Sequence, residues 1–244
     1  MRVPRIYTNQ ALDSELLLRL DTSASQHVAR AMRMQVGEAL TLFNGRGGEF
    51  GGVIHSVGSK VVEVLVAQHR PIEAESPLEV HLGIALSRGE RMDWIVQKAT
   101  ELGVKSITPL LSERVEVKLK GDRAEKKALH WQRIVVSACE QCGRNQLARV
   151  HPIQSLVNWV ADTEAQCKLV LHHRAALPLG SVQKPASVAL LVGPEGGLSA
   201  PEIDMAELSE FQSLTLGPRV MRTETAPVAA LAILQARWGD MNPQ

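Results

Sequence analysis

Aromatic residues are scarce in this 244-residue chain, which has four Trp, one Tyr and three Phe, only 3% of the total. Extensive stacking of bases on aromatic platforms is thereby excluded as its main mode of recognition. Cysteine is scarce too. Cys139, Cys142 and Cys167 are an odd number with no disulfide framework, and the single CxxC has no second ligand pair at zinc-finger spacing. At helical spacing Cys139 and Cys142 read as small buried hydrophobes, and no metal is expected. No run approaches 18 consecutive apolar residues, and the start MRVPRIYTNQ lacks the apolar core of a secretory signal, so no membrane association and a cytoplasmic location are expected. Net charge is only +1. The chain also lacks a P-loop, because Leu198 and Ser199 stand where Lys and Ser/Thr would follow the glycines, and it lacks GxGxxG after a strand.

What is present is a 45% hydrophobic content, ample for a core, and an uneven charge distribution. Ala85 to Val150 hold thirteen Lys/Arg against eight Asp/Glu, whereas His151 to Gln244 hold six against nine. The middle of the chain therefore offers either a polyanion-binding surface or simply a solvated helical face.

Residues Ala39–Phe43, Phe50–His55 and Val61–Ala67 read as short strands, preceded by a helical segment, Ser25–Met34, with Arg30 and Arg33 exposed beside Val28, Ala31 and Met32. The two prolines of Arg70–Pro77 mark a domain boundary, giving domains 1–72 and 73–244. Beyond it strands and helices alternate. Strands are expected at Leu78–Leu86, Val104–Leu111, Lys168–His172, Val188–Val192 and Ser213–Leu216. Helices are expected from Met92 to the Gly103 stop and from an Asp122 N-cap to Gly143. A last helix, Val228–Trp238, has hardly any polar face in its first two turns; a second subunit or the chain's own helices must cover it.

Two turns carry the chemistry. LVGPEGGLSAPEI (Leu191–Ile203) and LTLGPRVMRTETAP (Leu214–Pro227) each follow a strand and lead into a helix, so both emerge at one sheet edge, where α/β folds bind ligands. Gly193, Gly196 and Gly197 allow close backbone approach, and Ser199 with Glu202 fits a capping box. An adenosine-type ligand held by backbone groups against apolar walls suits the first turn. The second places Arg219, Arg222, Glu224, Thr223 and Thr225 together. Either an arginine pairs with Glu224 while a threonine caps the last helix, or these groups grip a nucleotide.

GPEGG followed by LGPRVMRTET resembles the SPOUT superfamily of S-adenosylmethionine-dependent RNA methyltransferases. With MRVPRIY, HVARAMRM, SRGERMDWIVQKATELGV, SERVEVKL and ACEQCGRN, essentially the whole chain is similar to the ribosomal small-subunit methyltransferase E family. That resemblance implies methylation of uridine N3 in 16S rRNA, within an assembled or nearly assembled small subunit, by a homodimer. It implies a PUA-like N-terminal β-barrel and an α/β domain with a trefoil knot over roughly 168–244. S-adenosyl-L-methionine would lie among Leu171, His172, Leu191, Gly193, Glu195, Gly196, Leu198, Leu216, Gly217, Val220, Met221 and Thr225. Ala226-Pro227 departs from the family pattern, which has a Thr-Ala-like pair, though Pro in a first helical turn is harmless. Arg222 and Glu224 are the candidate catalytic pair. Arg2, Arg5, Arg30, Arg33, Arg88, Arg91, Arg144 and Asn145 are candidate RNA contacts, and the scarcity of aromatics favours a structured RNA target. The short motifs also admit a ribose 2'-O or different-base methyltransferase, and a non-catalytic ribosome-assembly factor would keep the fold alone.

Overall fold

The computed structural model describes residues 3–116, 119, 121–172 and 183–241. The chain divides into two compact units, Met1–Glu75 with Cys139–Leu147, and Ser76–Ala138 with Ala148–Gln244. The division therefore falls at Glu75, inside the proline-bearing stretch, and a second segment far along the chain joins the first unit.

In the first unit, β1 (Arg5–Tyr7), β2 (Leu17–Arg19), β3 (Ala39–Phe43), β4 (Glu49–Val57) and β5 (Val62–Arg70) form one sheet in the order β1-β3-β4-β5-β2. Ile6, Leu18, Leu40, Leu42, Ile54, Val62, Val64 and Val66 alternate inward along these strands and make its core. The segment expected as one helix over Ser25–Met34 is instead α1 (Thr22–Gln26), capped by Asp21, followed by a π-helical turn, His27–Ala31. It stops at Arg33, whose φ of 54° is left-handed. Ala24, Val28 and Met34 face the core, whereas Ala31 and Met32 are exposed.

The second unit is a parallel sheet flanked by helices. Its elements are β6 (Glu79–Ala85), α2 (Arg91–Glu101), β7 (Ser106–Leu111), α3 (Asp122–Cys142), β8 (Arg149–Val150), β9 (Gln154–Ser155), α4 (Leu156–Asp162), β10 (Cys167–Leu171), β11 (Ser187–Val192), α5 (Ala200–Leu208), β12 (Gln212–Leu214) and α6 (Thr225–Trp238). The last turn of α3, with the residues after it, is the segment that belongs to the first unit. Asp122 is the first residue of α3 rather than its cap, and amides of the first turn donate to the Gly121 carbonyl. The sheet order is β12-β10-β11-β6-β7-β8, every pair parallel, with β9 also beside β7. Leu82, Ile84, Leu190, Leu191 and Ile107 are buried on both faces, as a covered parallel sheet demands. The threading expected over 168–244 includes residues 173–182, which lie outside the described residues.

Helix α6 buries Pro227, Ala230, Leu231, Leu234, Gln235 and Trp238, while Ile233 on its other side is 41% exposed. Within this unit Gln235 acts as a polar pin. Its Oε1 accepts from Ser76 Oγ at 2.6 Å and its Nε2 donates to the Leu102 carbonyl at 2.9 Å. Among the described residues no helix is long and apolar enough to cross a membrane.

Candidate active site

The strands β10, β11 and β12 are neighbours, and their C-terminal ends open into a cavity of about 280 Å³. Its walls come from Leu171 and His172 at the end of β10, from Val192 to Leu198 at the end of β11 and just beyond it, and from Leu214–Gly217 with Arg219, Val220 and Met221 at the end of β12 and beyond. Thr223, Ala226 and Arg114 complete it. This is the crevice beyond the carboxyl ends of parallel strands where α/β sheets bind ligands.

Local chemistry fixes each wall. After β11 the chain turns back, with the Gly197 amide donating to the Pro194 carbonyl at 2.8 Å and Gly197 at φ 68°. Gly193 permits the tightest approach, since a Cβ there would lie 2.9 Å from Leu198 Cγ and 3.0 Å from its backbone nitrogen. The expected capping box closes the turn. Ser199 Oγ accepts from the Glu202 amide, and Glu202 Oε2 accepts from the Ser199 amide at 2.9 Å. The other oxygen of Glu202 accepts from the Glu113 amide at 2.8 Å. Arg114 then donates to the Gly196 carbonyl at 2.8 Å, so the segment after β7 is fastened to the turn after β11. The third wall is tied to the first, because His172 N donates to the Leu214 carbonyl and Thr215 Oγ donates to the His172 carbonyl.

Ten of the twelve candidate cofactor residues line this cavity: Leu171, His172, Gly193, Glu195, Gly196, Leu198, Leu216, Gly217, Val220 and Met221. Leu191 does not; it is fully buried inside β11 and supports the turn from below. Thr225 is the first residue of α6, outside the lining. Glu195 lines the cavity, yet its carboxylate accepts from Arg91 at 2.7 Å and from the Arg88 amide at 3.4 Å. Burial pushes its acidity down, but its own backbone amide, Arg91 and the Arg88 amide outweigh burial and hold the carboxyl below its ordinary range.

Neither catalytic candidate lines the cavity. Arg222 is exposed, and its carbonyl accepts from the Thr225 and Ala226 amides at the start of α6. Glu224 is half-buried at the N-cap position of α6 without a side-chain capping bond, and its carboxylate lies 3.9 Å from Arg91 Nε. Arg91, on α2, thus stands between the carboxylates of both turns. The guanidinium that partners Glu224 comes from Arg91 on α2 rather than from Arg219 or Arg222.

Three of the candidate RNA contacts require correction. Arg5, Arg144 and Asn145 form a buried cluster in the first unit, where Arg5 pairs with Glu49, donates to Asn145 Oδ1 at 2.6 Å and stacks over Phe43. Arg144 is 3% exposed and forks onto Glu75, with Nη2 to Oε2 at 2.6 Å; Asn145 is 1% exposed and donates to the Ile72 carbonyl at 2.6 Å. Charges this buried need partners, and the partners are protein carboxylates rather than phosphates. Arg30, Arg33 and Arg88 are exposed, and Arg2 lies outside the described residues. Sequence reasoning missed Arg114 in the cavity wall, while Thr223, named with the second turn, does line it. For Arg114 the signal is its position, three residues past the end of a parallel strand. Among the described residues no group of histidine, cysteine and carboxylate side chains could hold a metal ion.

Apolar side chains such as Leu171, Leu198, Val220 and Met221, a glycine-rich turn and a few charged groups, Arg114, Glu195 and Arg219, suit a ligand with a flat heterocycle and a flexible polar tail. The class follows from matches to known proteins: residues 74–235 match the RNA methyltransferase domain family and residues 20–66 the RNA methyltransferase PUA domain. The chain is 35% identical over 243 residues, 99% of each chain, to ribosomal RNA small subunit methyltransferase E of Buchnera aphidicola subsp. Schizaphis graminum. It is 30% identical to the Bacillus subtilis protein of the same name, over 93% of each. It superimposes on ribosomal RNA small subunit methyltransferase E from Neisseria gonorrhoeae bound to S-adenosyl methionine, with a TM-score of 0.95 and 37% identity over 99% of this chain and 100% of that one. A Legionella pneumophila protein described as a methyltransferase, solved with the bound cofactor SAM, matches at TM-score 0.95 and 43% identity over the same shares. This chain belongs to the ribosomal RNA small subunit methyltransferase E family.

Proposed function

We propose that this protein is an S-adenosylmethionine-dependent methyltransferase that modifies N3 of a uridine in the 16S rRNA of the small ribosomal subunit. The observation that carries the reading is the cavity at the ends of β10, β11 and β12, walled by GPEGG and by the turn that leads into RTET. Relatives at 37% and 43% identity hold the methyl donor. Leu171, Leu198, Val220 and Met221 supply apolar walls for an adenine ring, and backbone groups of the Gly193–Leu198 and Leu216–Gly217 segments supply polar contacts.

The bound cofactor supplies an electrophilic sulfonium methyl, which leaves its sulfur as a neutral thioether when the N–C bond forms. The chain must manage the proton on uracil N3. Glu224 accepts it, directly or through water, and Arg222 steadies the negative charge that develops on a uracil carbonyl oxygen. Arg91, 3.9 Å from Glu224, holds that carboxylate at the second turn. The working form is a cytoplasmic homodimer, with the exposed side of α6 around Ile233 as its contact, and the RNA is a structured target within an assembled or nearly assembled subunit.

Calorimetric titration with S-adenosylmethionine, followed by mass-spectrometric mapping of uridines in 16S rRNA with and without the protein, tests the whole reading. A folded protein that never binds the cofactor would favour a non-catalytic assembly factor. Modification of a ribose or another base would move it elsewhere in the superfamily. Near-normal turnover of folded Arg222→Ala or Glu224→Gln would remove that residue from the mechanism.

A further inference from the structure

A second cavity adjoins the first. About 510 Å³ in volume, it is lined by Leu86, Arg88 and Arg91 from the segment after β6, by Glu113, Arg114, Val115 and Glu116 after β7, and by Glu195 and Gly196. Arg114, Glu195 and Gly196 line both cavities. A third cavity of about 230 Å³, around His81, His151 and Trp159, shares no residue with either.

Methyl transfer imposes a condition on where the acceptor sits, because the reacting atoms must come to roughly 3–3.5 Å of each other. The acceptor's recess must therefore lie beside the donor's, and the 510 Å³ cavity shares Arg114, Glu195 and Gly196 with it. On this basis we propose that it receives the acceptor uracil, turned out of its RNA so that N3 meets the donor pocket at the wall formed by Arg114 and Gly196. The inference rests on the uridine reading above and extends it to a site.

Its chemistry suits that base. Leu86 and Val115 offer an apolar floor, and no aromatic side chain is present, so guanidinium planes take the stacking role. Uracil carries a carbonyl acceptor on each side of N3, whereas cytosine carries an amino donor on one. Guanidinium groups only donate, so Arg88, Arg91 and Arg114 can serve both uracil oxygens and would confront the cytosine amino group with another donor. The same bonds stabilise the charge that spreads onto O2 and O4 when N3 loses its proton. Arg91 is oriented by Glu195 and Arg114 by the Gly196 carbonyl, and a guanidinium with five N–H donors is not exhausted by one such bond. Arg88 pairs with Glu116 at the rim. Three arginines face three glutamates, a balance that suits a neutral base rather than a phosphate.

Two variants test the site without touching the donor lining: Val115→Trp, which fills the cavity, and Arg88→Glu at an exposed position. Each should bind S-adenosylmethionine within about twofold of wild type in calorimetry, while kcat/KM for the RNA falls by at least about tenfold. If Val115→Trp fails to fold, Arg88→Glu decides. As an independent measurement, 4-thiouridine placed at the methylated position should cross-link to peptides containing residues 86–91 or 113–116. Wild-type turnover in folded variants, equal loss of cofactor binding and turnover, or cross-links elsewhere would overturn the site while leaving the uridine reading intact. Wild-type protein that methylates a different nucleotide would overturn the reading beneath it.

Discussion

Substituting Gly193 and Gly196 by alanine, one at a time, separates the close-packed part of the first turn from its tolerant part. A Cβ at Gly193 would sit 2.9 Å from Leu198 Cγ and 3.0 Å from Leu198 N, and the backbone nitrogen cannot swing aside as a side chain can. Leu198 is also anchored, because the next residue, Ser199, caps α5 through Glu202. Relief requires the turn itself to move, an overpacking that costs about 1–3 kcal/mol. In a chain of this size each kcal/mol lowers Tm by roughly 2–4 °C, so Gly193→Ala should melt roughly 2–12 °C lower. Displacing the turn also moves one wall of the donor cavity, and the Kd for S-adenosylmethionine should rise at least about tenfold, or about 1.4 kcal/mol. A Cβ at Gly196 meets Arg114 Cβ and Cδ at 3.5 Å, ordinary contact, so Gly196→Ala should stay within about 0.5 kcal/mol of wild type in stability. Calorimetric titration and thermal melts of both variants provide the comparison. Cofactor affinity unchanged in Gly193→Ala, or reduced more in Gly196→Ala, would refute the argument that the Gly193–Leu198 approach shapes the pocket.

Other sites give independent expectations. Gly83→Ala would place a Cβ 2.6 Å from the Trp159 ring in the middle of β6, and should cost about 1–3 kcal/mol, read as a lower urea midpoint at unchanged slope. Gln235→Leu leaves Ser76 Oγ without its acceptor and the Leu102 carbonyl without its donor, and chemical denaturation should show a loss of about 1–3 kcal/mol. Burial holds His81 and His151 below the ordinary histidine range, with Lys105 and Arg149 adding to it and Glu79 opposing it at His81; Asp162 and Glu164 line the same cavity. The folded state thus binds fewer protons than the unfolded one below about pH 6.5, so this contribution is complete above that pH and is lost as pH falls toward the folded values. Wild-type Tm should drop between pH 7 and pH 5 more steeply than that of a His81→Gln/His151→Gln double variant. Equal slopes would remove these histidines from the acid response.

The two turns were legible in the sequence because backbone chemistry writes itself into residue type: glycine where the chain must fold back, Ser and Glu three apart where a helix begins. Strand positions followed for the same reason, since Leu82 and Ile84 of β6 and Leu190 and Leu191 of β11 occupy a sheet covered on both faces. Strand order did not follow. That β11 lies between β10 and β6 depends on pairing between segments about a hundred residues apart, which no local period records. Side-chain destinations were the other gap. An arginine bound for solvent and one bound for a buried carboxylate look alike until the fold supplies Glu49 or Glu75, which is why Arg5 and Arg144 read as surface groups. The short helix before β3 was overextended because its apolar spacing continues past the point where Arg33 adopts a left-handed backbone.

Glu202 occupies a junction with little room for drift. One oxygen completes the start of α5 and the other receives the Glu113 amide, so helix initiation and the placement of Arg114 one residue on hang from a single carboxyl group. Glutamine, with one acceptor oxygen, could keep only one of these duties, and aspartate is a methylene too short to span both. The length and charge of this one side chain therefore make the secondary structure and the reaction chamber inherit each other's errors.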